Sequence, residues 1–240
     1  MTGVARYLDK AKSQLYNNLD KLKIRFSTGG YAMKIVLASK NQKKVRELQK
    51  IAQEIASKDK DVEVICLSDI PEIDGYPQAE ENGATFLQNA RIKAEYWAEI
   101  LDMPALGEDS GIEIDALGGA PGVYTKRSIA ILCPGEKVDE DKPNELYPKF
   151  LELMEKSKNP SKRAHWVSSM VLVMPDTMKR ISAINTLTGE MCECKGERQF
   201  GFDQYFKPEN STKTLAEMTI EEKNAIGPRR KSFEEILSKI

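Results

Sequence analysis

The sequence predicts an α/β protein built on a mixed, twisted sheet, and three observations predict it. Short apolar runs of strand character alternate with amphipathic stretches of helical period. These elements do not repeat as strict βαβ units, so parallel and antiparallel neighbours are expected in one sheet. The 240 residues suffice to bury a large core in one large domain or two small lobes.

In residues 1–32, Val4, Leu8, Ala11, Leu15, Leu19 and Leu22 keep helical spacing and predict an amphipathic helix ending near Ser27-Thr28-Gly29-Gly30. Its six basic residues suit an organelle-targeting segment. Asp9, Asp20 and the modest serine content suit instead a helix packed on its own domain or on a partner chain. At Met33 the chain begins again, and residues 33–240 form the main domain. "MKIVLASKNQKKVREL" predicts a buried strand at Lys34–Ala38, a turn, and a helix over Gln42–Ser57. A strand at Val62–Leu67 and a helix at Ala84–Leu101 follow. "GEDSGIEIDALGGAPGVY" then predicts a short strand (Ala105–Glu108), a turn at Ser110-Gly111, and a second short strand (Ile112–Asp115). Beyond it come a helix at Asn144–Ser157 and strands at Trp166–Met174 and Lys179–Thr186. Thr219 with Glu222 makes a capping box for a short helix ahead of Pro228. A final helix is expected over Ser232–Ile240.

Composition narrows the function. Thirty-six basic against 37 acidic residues leave no global positive field, so no nucleic-acid partner is expected. No apolar run approaches the ~18 residues needed to span a bilayer, so no membrane partner is expected either. Cys66, Cys133, Cys192 and Cys194 are too few for a disulfide framework, which points to a soluble protein of a reducing compartment, the cytoplasm. With one histidine in the chain, Cys192-x-Cys194 does not make a structural zinc site.

Three stretches carry candidate chemistry. Ser39, Asn41 and Lys44 span the turn from the first strand into its helix. Free N–H groups, the positive helix end and a lysine one turn in make an anion site there. Asn89 and Lys93 lie four apart on one helix face, where a lysine turned inward needs an anionic partner. Adjacent Glu108 and Asp109 repel each other, and with Glu81 they offer hard oxygen ligands of the type Mg²⁺ takes when it also holds substrate phosphates.

Five ordered patterns extend these stretches: S/T-x-N-x-x-K, then E-E-x-G-x-T-F-x-x-N-A-x-x-K-A, then D/E-D-S-G-x-x-x-D-A-L-G-G-x-P-G-x-Y, then F-G-aromatic-D, then A-E-M-x-x-x-E-K-N-A. From Met33 to the C-terminus the chain thereby resembles the inosine triphosphatase family, pyrophosphatases of non-canonical purine nucleoside triphosphates. The resemblance implies an elongated two-lobed fold around a central cleft, a homodimer, and Mg²⁺-dependent hydrolysis of ITP, dITP or XTP to monophosphate and pyrophosphate. It implies that Ser39, Asn41 and Lys44 hold the triphosphate and that Glu81 and Asp109 serve the metal, with Glu108 beside them. Asp109 would also orient or deprotonate the attacking water, Ser110 would bond near the phosphates, Lys93 would neutralise phosphate charge, and Asn89 would support that face. At the base end it implies Phe200, Gly201, Phe202, Asp203, Lys223 and Arg229. There the chain departs from the pattern: Gln204 replaces a proline, and Gly227-Pro228 replace the Ser-His that precedes the arginine. A different or broader nucleotide range, or nucleotide binding without turnover, are the alternative expectations.

Overall fold

The computed structural model describes residues 33–56, 62–70, 73–128, 135, 143–193, 195–196 and 202–240. The amphipathic helix expected within residues 1–32, Cys133, Cys194 and the motif residues Phe200 and Gly201 lie outside them.

The architecture is α/β, as expected, and the described sheet is mixed: six strands in the order β2-β1-β3-β4-β5-β6. β1 (Met33–Leu37), one strand in from the edge, pairs in parallel with β2 (Val62–Cys66) and with β3 (Ala105–Ile114). Its continuous apolar run follows from having both faces covered. Ile35 and Leu37 pack with Val45, Leu48 and Ile51 of α1 (Gln42–Ala56), whereas Val36 packs with Ala90, Ala94 and Trp97 of α2 (Phe86–Leu101). α3 (Pro143–Glu155) follows. β4 (Arg163–Val173), β5 (Arg180–Met191) and β6 (Phe206–Pro208) then extend the sheet antiparallel from β3. Thr219 and Glu222 do form the capping box of α4 (Ile220–Ile226).

The sequence-based elements need two corrections at the site. Ser110-Gly111 does not turn the chain, because β3 runs unbroken from Ala105 to Ile114. The reversal waits for a 3₁₀ turn at Asp115–Leu117 that ends on Gly118 at φ 63°. Gly111 is needed for close approach: a Cβ there would lie 2.3 Å from Thr125 Oγ1 and 2.9 Å from the Gly122 carbonyl oxygen. The last helix, α5 (Pro228–Ser238), starts one turn earlier than predicted, with Pro228 in its first turn, where a missing N–H costs no helical bond.

Side-chain alternation along β3 divides the sheet. Leu106 joins the apolar cluster under α1 and α5, while Ile112 and Ile114 join a second cluster with Phe150, Phe202, Tyr205 and Phe206. Between them on the same face stand Glu108 and Ser110, in line with Ser168 of β4 and Asn185 of β5. A polar band thus separates two apolar cores. No described helix is long and apolar enough to cross a membrane.

Candidate active site

β1 ends at Leu37 while β3 continues to Ile114, which leaves a notch at the carboxyl end of β1. The chain leaves β1 for α1 on one face and enters β3 from α2 on the other. Such a switch point is where open α/β sheets bind ligands. Ser39 and Asn41 form the lip: the Ser39 hydroxyl accepts the Asn41 N–H at 3.1 Å, and the Asn41 side chain accepts the Lys44 N–H at 3.3 Å. This holds the N-terminal end of α1, the positive end of the helix dipole, toward the notch.

On the α2 face stands Asp109, its side chain 14% exposed. Asn89 donates from Nδ2 to Asp109 Oδ2 at 3.1 Å and accepts the Gly83 N–H on its Oδ1 at 2.8 Å. One buried amide thereby ties the segment carrying Glu81 to Asp109. Lys93 Nζ lies 2.6 Å from Glu81 Oε2 and 3.5 Å from Asp109 Oδ1, the anionic partners an inward lysine requires. The approach of α2 depends on Gly107, where a Cβ would fall 1.9 Å from the Ala90 carbonyl oxygen. Burial raises the Asp109 pKa above the ordinary carboxylate value, against the opposing pull of Lys93, Asn89 and Lys44.

On the opposite face stands Glu108, its side chain 1% exposed. Lys44 Nζ donates to Oε2 at 2.6 Å, and Arg229 donates to Oε1 from Nε at 3.3 Å and from its terminal nitrogen at 3.4 Å. Burial would raise this pKa, but Lys44 and Arg229 together hold it far below the usual range. The two acids that are adjacent in sequence therefore do not share a site; the pleat turns them apart. Arg229 also donates to Glu47 Oε2 at 2.5 Å and to the Ser110 hydroxyl at 3.4 Å.

Glu81 and Asp109 converge on one ammonium, so their oxygens could serve one hard cation. Among the described residues no group of three or more His, Cys, Asp or Glu is placed to hold a metal ion. A cation at this pair would need substrate oxygens to complete its shell, as Mg²⁺ commonly does.

At the base end, Lys223 donates to Asp203 Oδ2 at 2.5 Å, while Asp203 Oδ1 is buried with no hydrogen-bond partner among the described residues. Burial raises the Asp203 pKa, with Lys223 opposing. Phe202 is buried in the second core against Phe150, not presented to the cleft. Gln204 donates to the Gly196 carbonyl at 2.6 Å. Lys223, Gly227, Pro228 and Arg229 line one recess with Glu47, Trp166, Leu187 and Leu215.

Sequence reasoning missed Glu47 and Trp166. Glu47 sits three residues after Lys44, on the same helical face, a usable signal. Trp166 follows His165 in an alternating strand, so it had to face opposite the histidine. His165 indeed lies on the α2 face, bonded to Asp115 at 3.1 Å and Thr188 at 3.2 Å, away from the site.

Comparison with known proteins agrees with this fold. The family model described as the Ham1 family matches residues 35–239. A dITP/XTP pyrophosphatase of Elusimicrobium minutum is 35% identical over 210 residues, covering 87% of this chain and 100% of the relative. Another dITP/XTP pyrophosphatase, of Campylobacter jejuni subsp. doylei, is 36% identical over 84% of this chain and 94% of the relative. The structure of a HAM1 protein from Coxiella burnetii superposes with a TM-score of 0.70 at 30% identity, over 86% of this chain and 97% of that one. With five ordered motifs, a shared fold and near-complete coverage all converging, this chain belongs to the Ham1 family.

Proposed function

We propose that this chain is a Mg²⁺-dependent nucleoside triphosphate pyrophosphatase that hydrolyses ITP, dITP and XTP to the monophosphate and pyrophosphate, acting as a homodimer. The observation that carries it is the gathering of two lysines, from helices on opposite sheet faces, where β1 ends: Lys93 lies 3.5 Å from Asp109, and Lys44, bonded to Glu108 at 2.6 Å, is near enough to oppose the rise of the Asp109 pKa. The triphosphate lies along the start of α1, its charge met by free N–H groups, Lys44 and Lys93. Mg²⁺, held by Asp109 and Glu81 with phosphate oxygens, would supply charge neutralisation and polarise the scissile phosphate.

Asp109 takes a proton from the attacking water. Its carboxylate is held by Asn89 on one oxygen and Lys93 near the other, and its raised pKa suits a base. The new P–O bond forms at the α-phosphorus as the bond to the β-phosphate oxygen breaks, and pyrophosphate leaves with its charge met by the lysines. Positioning and charge neutralisation supply most of the acceleration.

One observation favours a broad base range within this function. The donors of Arg229 are shared among Glu47, Glu108 and Ser110, and Pro228 brings no side-chain donor. Initial rates of pyrophosphate release from ITP, XTP, dITP, GTP, ATP and dUTP with Mg²⁺ test both points. Preference for the 6-oxo purines ITP and XTP is expected, and turnover of dUTP or ATP alone would overturn the substrate assignment. Absence of any pyrophosphate release would overturn the activity.

A further inference from the structure

Glu108 is the most buried carboxylate of the site, and the proposed chemistry gives it no step. It faces away from Asp109 and Glu81, and its oxygens are divided between two cations from different helices. Oε2 takes Lys44 at 2.6 Å, and Oε1 takes Arg229 at 3.3 Å, with the Ser168 hydroxyl donating at 3.4 Å. Lys44 extends from α1 beside the anion-binding lip, whereas Arg229 stands in the first turn of α5 beside the recess lined by Trp166 and Leu187. Arg229 keeps a second carboxylate, Glu47, whereas among the described residues Lys44 is ion-paired with Glu108.

We propose that Glu108 is a positioning residue that acts as a stand-in anion: it holds Lys44 where a substrate phosphate will take over, and it fixes Arg229 at the base end throughout. The inference rests on the pyrophosphatase reading and adds a residue role to it. A lysine left free in the empty cleft would sample many rotamers, and ordering it would oppose binding. Held by a buried carboxylate, it is already aimed, but phosphate must compete for it. When phosphate draws Lys44 away, Arg229 still neutralises Glu108, so no buried charge is left bare. The arrangement trades phosphate affinity for a fixed placement of Lys44 relative to Arg229.

Glu108→Gln keeps the shape and removes the competing charge. Isothermal titration with inorganic tripolyphosphate, without Mg²⁺, should show binding tighter on the order of ten-fold than in wild type. The gain should vanish in Glu108→Gln combined with Lys44→Met. In nucleotide assays the same variant should lose part of its ITP-over-ATP ratio in kcat/KM, with the Mg²⁺ concentration for half-maximal rate unchanged. Weaker tripolyphosphate binding, or a raised Mg²⁺ requirement, would overturn the proposal, the latter by making Glu108 a metal ligand. Should the glutamine variant fail to fold, Glu108→Asp keeps the charge but shortens its reach to Lys44, and the same shifts should appear in smaller measure. The titration needs no turnover, so its failure is distinct from a failure of the pyrophosphatase reading.

Discussion

Glu108 and Asp109 are neighbours in sequence and opposites in environment. Glu108 looks toward α1 and α5 and meets two cations in a sealed site, so pairing wins over desolvation and the carboxylate stays charged. Asp109 looks toward α2 and meets one cation at 3.5 Å and one amide, so burial wins and its pKa rises. When two adjacent acids are pushed in opposite directions, the satisfied one organises the site and the poised one is free to react. The contrast can be tested from either side.

The largest effect is expected from Asp109→Asn. Turnover should fall on the order of 10²-fold or more, because a base and a metal-serving oxygen are lost together. A folded pKa above the unfolded one means that ionised Asp109 costs stability at neutral pH, so this variant should melt no lower than wild type. Activity within a few-fold of wild type would break the assignment.

Gly107→Ala attacks the same side through its support. A Cβ at that position meets backbone, not a flexible side-chain end, so α2 must retreat from β3 and carry Asn89 and Lys93 away from Asp109. Overpacking of this kind costs about 1–3 kcal/mol. The kcat should fall while tripolyphosphate still binds through Lys44, a split that assay and titration together would reveal.

Glu108→Gln should cost about 1–3 kcal/mol of stability at pH 7. The sign follows from the depressed pKa: this stability is present above the unfolded value of ~4.3 and is lost as pH falls toward the folded one. Thermal melts of wild type and variant should therefore converge only in strong acid. A gap that closed already near pH 6 would mean that Glu108 is not held ionised by its partners.

The smallest effect belongs to the base end. Gly227 has φ −62° and ψ 135°, open to any residue, although a Cβ would lie 3.0 Å from the Lys223 carbonyl oxygen. Gly227→Ser with Pro228→His should raise the ITP-over-ATP ratio a few-fold, on the order of one hydrogen bond of about 0.5–1.5 kcal/mol. An unchanged ratio would show that the recess is shaped by Trp166 and Leu187, not by polar donors.

Local sequence determined much of this protein. The apolar run of β1, the Thr219–Glu222 cap and the Asn89/Lys93 spacing each act over a few residues, so pattern alone placed them. The ordered motifs also named the residues that gather at the notch. Tertiary structure decided the rest. Gly111 read as a turn because glycine's commonest use is conformational, whereas the approach of Thr125 and Gly122 is what excludes a side chain there. Glu108 read as a partner of Asp109 because adjacency suggests proximity. Strand pleating sends neighbours to opposite faces, and only the unbroken course of β3 past the end of β1 made that rule apply. The counter-charges of Arg229, from α1 and β3, lie 182 and 121 residues away along the chain. No local pattern encodes such pairings, because they arise when helices on one face of a sheet bury their charges together.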